Sequence, residues 1–211
     1  RAGVGRGRSK KAAEQEADED MYRLAGTGER DPVHASVYRS TRLRLPWLLL
    51  SVLDGLFIAY VVSRFEDALA VVQLSFFIPL IPLMGGQVAI QASTIMVRGL
   101  ALGNLRRSLI AHFLLKQVAI AVMPATCCAG SAGVLGVLLV GAQVRVMVAV
   151  ALAVAIAIVV SGTLGMVFPL AFNAAGIDPA VSSGPFITMV ASHFCICLYL
   201  LLGATLASPA G

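Results

Sequence analysis

FFIPLIPLMGGQVAIQASTIMVRGLALG, residues 76–103, decides how the rest of the chain is read. It is apolar enough to cross a bilayer, yet Pro79, Pro82, Gly85 and Gly86 interrupt it, and Gln87, Gln91, Ser93 and Thr94 come after them. Interrupted helix and polar side chains at membrane depth are tolerated where they face protein or a water-filled cavity, not lipid. The stretch is therefore expected to line a pathway or a tight helix–helix contact.

The composition around it agrees with a membrane setting. Of 211 residues, 58% are hydrophobic and 13% charged, with a mean hydropathy of +0.87; soluble domains carry roughly 25% charged residues. Most of the charge falls in the first 45 residues, and the remainder of the chain contains apolar runs of about the 18 residues that a spanning helix needs. The fold class expected is all-α, an integral membrane bundle of five helices. Spans are predicted over 46–62, 68–102, 108–140, 146–171 and 185–206, with Pro46 in the first turn of the first and a bend at the Pro/Gly cluster of the second. At ~1.5 Å per residue the 35-residue second segment would reach ~50 Å, too long for one straight crossing. A loop over 173–184 precedes the fifth span, and residues 207–211 form a short C-terminal tail.

Ahead of the spans lie a basic, Gly/Ala-rich tail (1–15) and a connecting segment with a short amphipathic helix (16–45). A tail of this composition is expected to contact a partner rather than fold alone. The chain starts at Arg1 rather than Met, which reads as a piece of a longer precursor. Its net charge of +5 is largely juxtamembrane arginine and speaks to orientation, not to nucleic acid. With five spans, Arg39, Arg42, Arg44, Arg98, Arg106 and Arg107 share one side and Arg64 and Arg145 the other. By the positive-inside rule the N-terminus lies on the cytoplasmic, stromal or matrix side, of a bacterial inner or an organellar membrane.

Few residues offer chemistry. Asp54 is the carboxylate set within a span, and an intramembrane carboxylate is a functional candidate by default. Asp178, before Pro179, suits a turn and a cap for the fifth helix. His193, Cys195 and Cys197 are soft-metal ligand types, but Cys195 points away from the other two on a helix, so no metal site is assigned. Cys127 and Cys128 lie in apolar sequence, where thiols behave as small apolar side chains. No nucleophile–base pair, phosphate-binding loop or dinucleotide fingerprint is present, and an enzyme is not expected.

The residues themselves resemble the MgtE family of magnesium channels and transporters. EADEDMYRLAG (16–26) is similar to the family's connecting segment and RLPWLLL (44–50) to the start of its first span. FFIPL-IPLMGG with Gln91-Ala92-Ser93-Thr94 and VRGLALG resembles its second span, and Asp178-Pro179-Ala180 with Pro185 the entry to its fifth. The resemblance implies a five-helix membrane domain acting as a homodimer, with Mg²⁺ as its ion and no cofactor beyond it. It also implies that Gln87, Gln91, Gly184, Thr188 and Ser192 face the pathway and that Asp178 lies near the pore mouth; Asp178, with the intramembrane carboxylate of Asp54, is a candidate for attracting ions.

Departures accompany the likeness. The family's GGN-x-G-x-Q reads Gly85-Gly86-Gln87-Val88-Ala89-Ile90-Gln91 here, and its Lys-Glu pair reads Lys116-Gln117. Gly184 and Ser192 stand where the family has asparagine and a pore-facing aspartate. Positions 184, 188 and 192 share one helix face, which is uncharged, whereas Mg²⁺ is usually held through carboxylates, directly or through its water shell. The expected function is an MgtE-like divalent-cation channel or transporter with impaired Mg²⁺ conduction. The alternative is an MgtE-like scaffold that no longer transports and joins unlike subunits in a larger membrane complex, such as an organellar one.

Overall fold

The second half of the molecule is built on one long helix whose small residues recur every fourth position: Ala149, Ala153, Ala157, Ser161 and Gly165, all buried. Residues four apart share a helix face, and a face of small side chains lets neighbouring backbones approach closely in lipid. The computed structural model describes residues 36–66, 72–102 and 107–206. The basic tail (1–15), the first part of the connecting segment and the C-terminal tail (207–211) fall outside those residues.

Among the described residues six helices occur in order: α1 (Val37–Ser63), α2 (Val72–Ser75), α3 (Leu80–Ala101), α4 (Arg107–Val140), α5 (Val144–Ala174) and α6 (Pro179–Leu206). Taking α2 and α3 as one segment, five stretches are long and apolar enough to span a membrane. The protein is an all-α integral membrane bundle. The small-residue helix α5 is its centre and packs on α3, α4 and α6, while α3 also packs on α6 and α1 lies chiefly along α6. The main core joins Ile81, Val146, Val150, Val154, Ile158, Ile196, Tyr199 and Leu200 around this centre. By contrast, α1 buries none of its residues.

Three boundaries differ from the sequence expectation. Pro46 is not in the first turn of its helix: Ser36 caps α1, its hydroxyl accepting from the Arg39 amide, and the basic segment VYRSTRLRL is helical. Pro185 likewise lies inside α6, which begins at Pro179, directly after Asp178. In the second span the break falls at residues 76–79, and helix continues unbroken through Gly85-Gly86. The physical reason is positional. Pro79 and Pro82 sit at the start of α3, where backbone N–H groups have no intrahelical partner to lose.

The break at 76–79 is itself repaired from outside. The buried Tyr199 hydroxyl donates to the Leu74 carbonyl at 2.6 Å, and the Phe77 amide reaches the same oxygen at 3.2 Å. Nearby, Gln73 Oε1 accepts from the Gln143 amide at 2.8 Å, pairing a donor at the start of α5. Non-helical backbone at membrane depth persists where neighbours satisfy it in this way.

Candidate functional site

Two glycines of α3 decide what surrounds them. A methyl group at Gly85 would overlap Cys195 Sγ and lie 3.1 Å from Ser161 Oγ; Cys195 and Ser161 are themselves hydrogen-bonded at 3.3 Å. Gly85 is thus the point where α3, α5 and α6 meet. One residue on, a methyl at Gly86 would stand 2.9 Å from Thr188 Cγ2 and 3.5 Å from Ser192 Oγ. The Gly184–Thr188–Ser192 face of α6 is therefore turned against α3. Thr188 donates to the Gly184 carbonyl at 3.1 Å, and Ser192, 6% exposed, donates to the Pro82 carbonyl at 3.3 Å. A carbonyl oxygen carries two lone pairs, so Pro82 can accept from Ser192 without giving up its place in the helix ladder.

Gln87 and Gln91 point elsewhere. They line a cleft of about 340 Å³ between α3, α4 and α5, together with Gln117 and Thr163 and an apolar wall that includes Val88 and Met166. Three amides thus share one cavity, while Thr188 and Ser192 pack near Gly86, outside that lining. The five residues singled out in the sequence form two groups within one chain. Asp178 is exposed, directly before the start of α6. Lys116 and His112 are exposed on α4.

A third arrangement involves α1. His193 Nδ1 lies 3.2 Å from Asp54 Oδ1 and 2.9 Å from the Met189 carbonyl. The Phe57 ring stands 4.5 Å from the imidazole, edge to face. Sequence reasoning named Asp54 and His193 separately and missed their pairing. The signal that could have found it was that Asp54 is the one carboxylate of α1 and His193 the one imidazole of α6, each set in apolar sequence. Cys195 meets Ser161 of α5 rather than the α1–α6 seam, and no group of three or more His, Cys, Asp or Glu converges among the described residues.

A family model described as a divalent cation transporter, MgtE, matches residues 78–202, more than half of the chain. The chain belongs to the MgtE family. Its α3–α6 contact, with the Gly85-Gly86 pair and Ser192, lies wholly within the matched region. Among curated relatives, the magnesium transporter MgtE of Bacillus subtilis is 27% identical over 187 residues, 88% of this chain and 41% of the relative. The Enterococcus faecalis magnesium transporter MgtE is 27% identical over 190 residues, again 88% and 41%. That of Thermus thermophilus is 24% identical over 195 residues, 89% and 42%. The chain thus spans about two-fifths of the length of these MgtE relatives.

Proposed function

We propose that this chain is the membrane domain of an MgtE-type divalent-cation transporter in which the ancestral Mg²⁺ conduction is impaired. The observation that supports this is the state of Ser192. Its hydroxyl is buried and donates to the Pro82 carbonyl, so at the position of the family's aspartate a neutral, already engaged group stands in place of a carboxylate. Apart from Asp54, the five described spans contain no Asp or Glu. A dication crossing hydrocarbon without counter-charge is strongly disfavoured.

The test is Mg²⁺ flux into proteoliposomes, read with an enclosed indicator. Wild-type flux is expected near that of empty vesicles, and Ser192→Asp is expected to raise it. Robust wild-type flux that is blocked by hexahydrated-cation mimics would refute the reading. The serine at position 192 also supports a non-transporting scaffold, with α1's uncovered surface available to unlike subunits. Purification from the native membrane separates the two: a symmetric dimer favours transport, and one copy among unlike subunits favours the scaffold.

A further inference from the structure

We propose that the cleft between α3, α4 and α5 is a binding site for a neutral acylglycerol drawn from the bilayer, independent of whether ions pass through the protein. The cleft follows from how the helices pack. Both α3 and α4 pack extensively on α5 but hardly on one another. Two helices that share a floor and not a side wall leave a slot between them, here of about 340 Å³. Sites for small molecules run from about 300 to 1,000 Å³, chiefly apolar with a few convergent polar groups. Met84 and Val88 on α3 and Ile158 and Met166 on α5 supply apolar wall. Gln87, Gln91, Ile95 and Ile120 line the slot and are exposed, so it opens on the outer surface of the bundle.

The polar groups select the occupant. Gln87 and Gln91, one turn apart on α3, share the slot with Gln117 of α4 and Thr163 of α5. Among the described residues none of the three amides is hydrogen-bonded to another protein group. All three lie within spans, where hydrocarbon offers a polar group no partner. Each amide has two N–H donors and an accepting oxygen; Thr163 gives its hydrogen to the Val159 carbonyl at 2.8 Å, and its oxygen can still accept. The set therefore suits a ligand that both accepts and donates. It also suits an uncharged one. No Asp, Glu, Lys, Arg or His lines the slot, and Lys116, next to Gln117 in sequence, is outside the lining. A phospholipid head would bring charge without a counter-charge to meet it. A quinone can only accept, and a sterol has a single hydroxyl for three amides. An acylglycerol, with ester carbonyls, a free hydroxyl and apolar chains, matches the whole set.

Depth agrees with that choice. Gln91 precedes Ala101 by ten positions, Gln117 follows Arg107 by ten and Thr163 precedes Ala174 by eleven. The three thus lie at one level, ~15 Å along their helices from the same end of the bundle. With 34 residues, α4 is ~20 Å longer than a hydrocarbon core of ~30 Å. With that excess shared between its two ends, the level falls ~5 Å inside the core. This is where glycerol esters sit, above the midplane. The site is also distinct from the α3–α6 contact that holds Ser192, so its failure and the failure of the transport reading are separate results.

The experiment is photolabelling of the full chain in phosphatidylcholine nanodiscs that carry a small fraction of diacylglycerol with a diazirine beside its ester, the adducts being mapped by mass spectrometry. The expected result is adducts concentrated on residues 84–95 and 114–128 and lost when unlabelled dioleoylglycerol is added. The same diazirine on phosphatidylcholine should label those segments no more than the uncovered face of α1. Gln91→Leu and Gln117→Leu should each weaken binding about 2- to 10-fold, as the loss of one neutral hydrogen bond does. Ala121→Phe, which fills the slot, should abolish the labelling. The competition and phosphatidylcholine arms read the unaltered chain, so they decide the matter even if a variant does not insert. The proposal is overturned if adducts spread evenly over all outward helix faces, or if phosphatidylcholine labels the cleft as strongly as diacylglycerol. It is equally overturned if Gln91→Leu/Gln117→Leu labels like the wild type. Covalent dimers formed through benzoylphenylalanine in place of Ile120 would give the cleft to a second copy of the chain and also overturn it.

Discussion

Replacing Gly165 by alanine should destabilise this membrane domain far more than the same change at Gly55, although both glycines lie inside helices. At Gly165 the added methyl would overlap the Ala89 main-chain carbonyl oxygen and sit 2.9 Å from Ala92 Cβ. Neither neighbour can rotate away, so α3 and α5 must part along their closest approach. Overpacking of this kind costs about 1–3 kcal/mol. At Gly55 nothing lies within 4 Å of the new methyl, and removing a glycine from a helix gains roughly 0.5–1 kcal/mol. Gly86 falls between, because its nearest obstacle is Thr188 Cγ2, part of a side chain that can shift. The assay is thermal unfolding of the three variants in one detergent, where 1 kcal/mol moves the midpoint by about 2–4 °C at this chain length. The expected order of stability is Gly55→Ala, then Gly86→Ala, then Gly165→Ala. A Gly165→Ala protein as stable as Gly55→Ala would refute the close α3–α5 approach on which the fold description rests.

Tyr199→Phe removes the hydroxyl that donates to Leu74, but the Phe77 amide still reaches that carbonyl; the loss should be about 1 kcal/mol in the same assay. For topology, single cysteines at Arg64 and Arg145 should be reached by an impermeant reagent from one side of the membrane, and cysteines at Arg39 and Asp178 from the other. Labelling of positions 64 and 178 from the same side would sink the five-span arrangement.

Much of this architecture is legible in the sequence because length and apolarity are local properties. Five segments near the expected bounds emerge from counting alone, and the family likeness rests on the second span as written. What the sequence hides depends on which faces meet. Pro79 and Pro82 read as a break within a span, but a proline's effect depends on whether its helix has already begun, and here helix starts at Leu80. The recurrence of small residues at 149, 153, 157, 161 and 165 is present in the letters, submerged in an apolar run where every position looks buried. Gln87 and Ser192 fall together when grouped by resemblance and separate once α3 is given a rotation, since Gln87 lies in the amide-lined cleft and Ser192 against Pro82. Asp54 and His193, 139 positions apart by their numbering, could be joined only by the packing of α1 on α6.

That packing bears on how the membrane-embedded polar groups divide their work. Gln87, Gln91 and Gln117 offer dipoles but no charge, in a cleft bounded by α3, α4 and α5. Asp54 offers charge, but across the seam from an imidazole already within 3.2 Å. Ser192 and His193 are neighbours in sequence and diverge in space, the first directed at α3 and the second at α1. A helix thus presents, at one level, an uncharged hydroxyl toward the contact that the family likeness associates with the pathway, and an ionisable group toward the opposite, uncovered helix. If Asp54 served in place of the aspartate that the family likeness sets at position 192, a cation would have to reach the α1–α6 seam and compete there with the imidazole. Flux that survives Asp54→Asn would exclude that replacement, whereas Ser192→Asp probes the original position; the two substitutions together locate any remaining ion affinity on one face of α6 or the other.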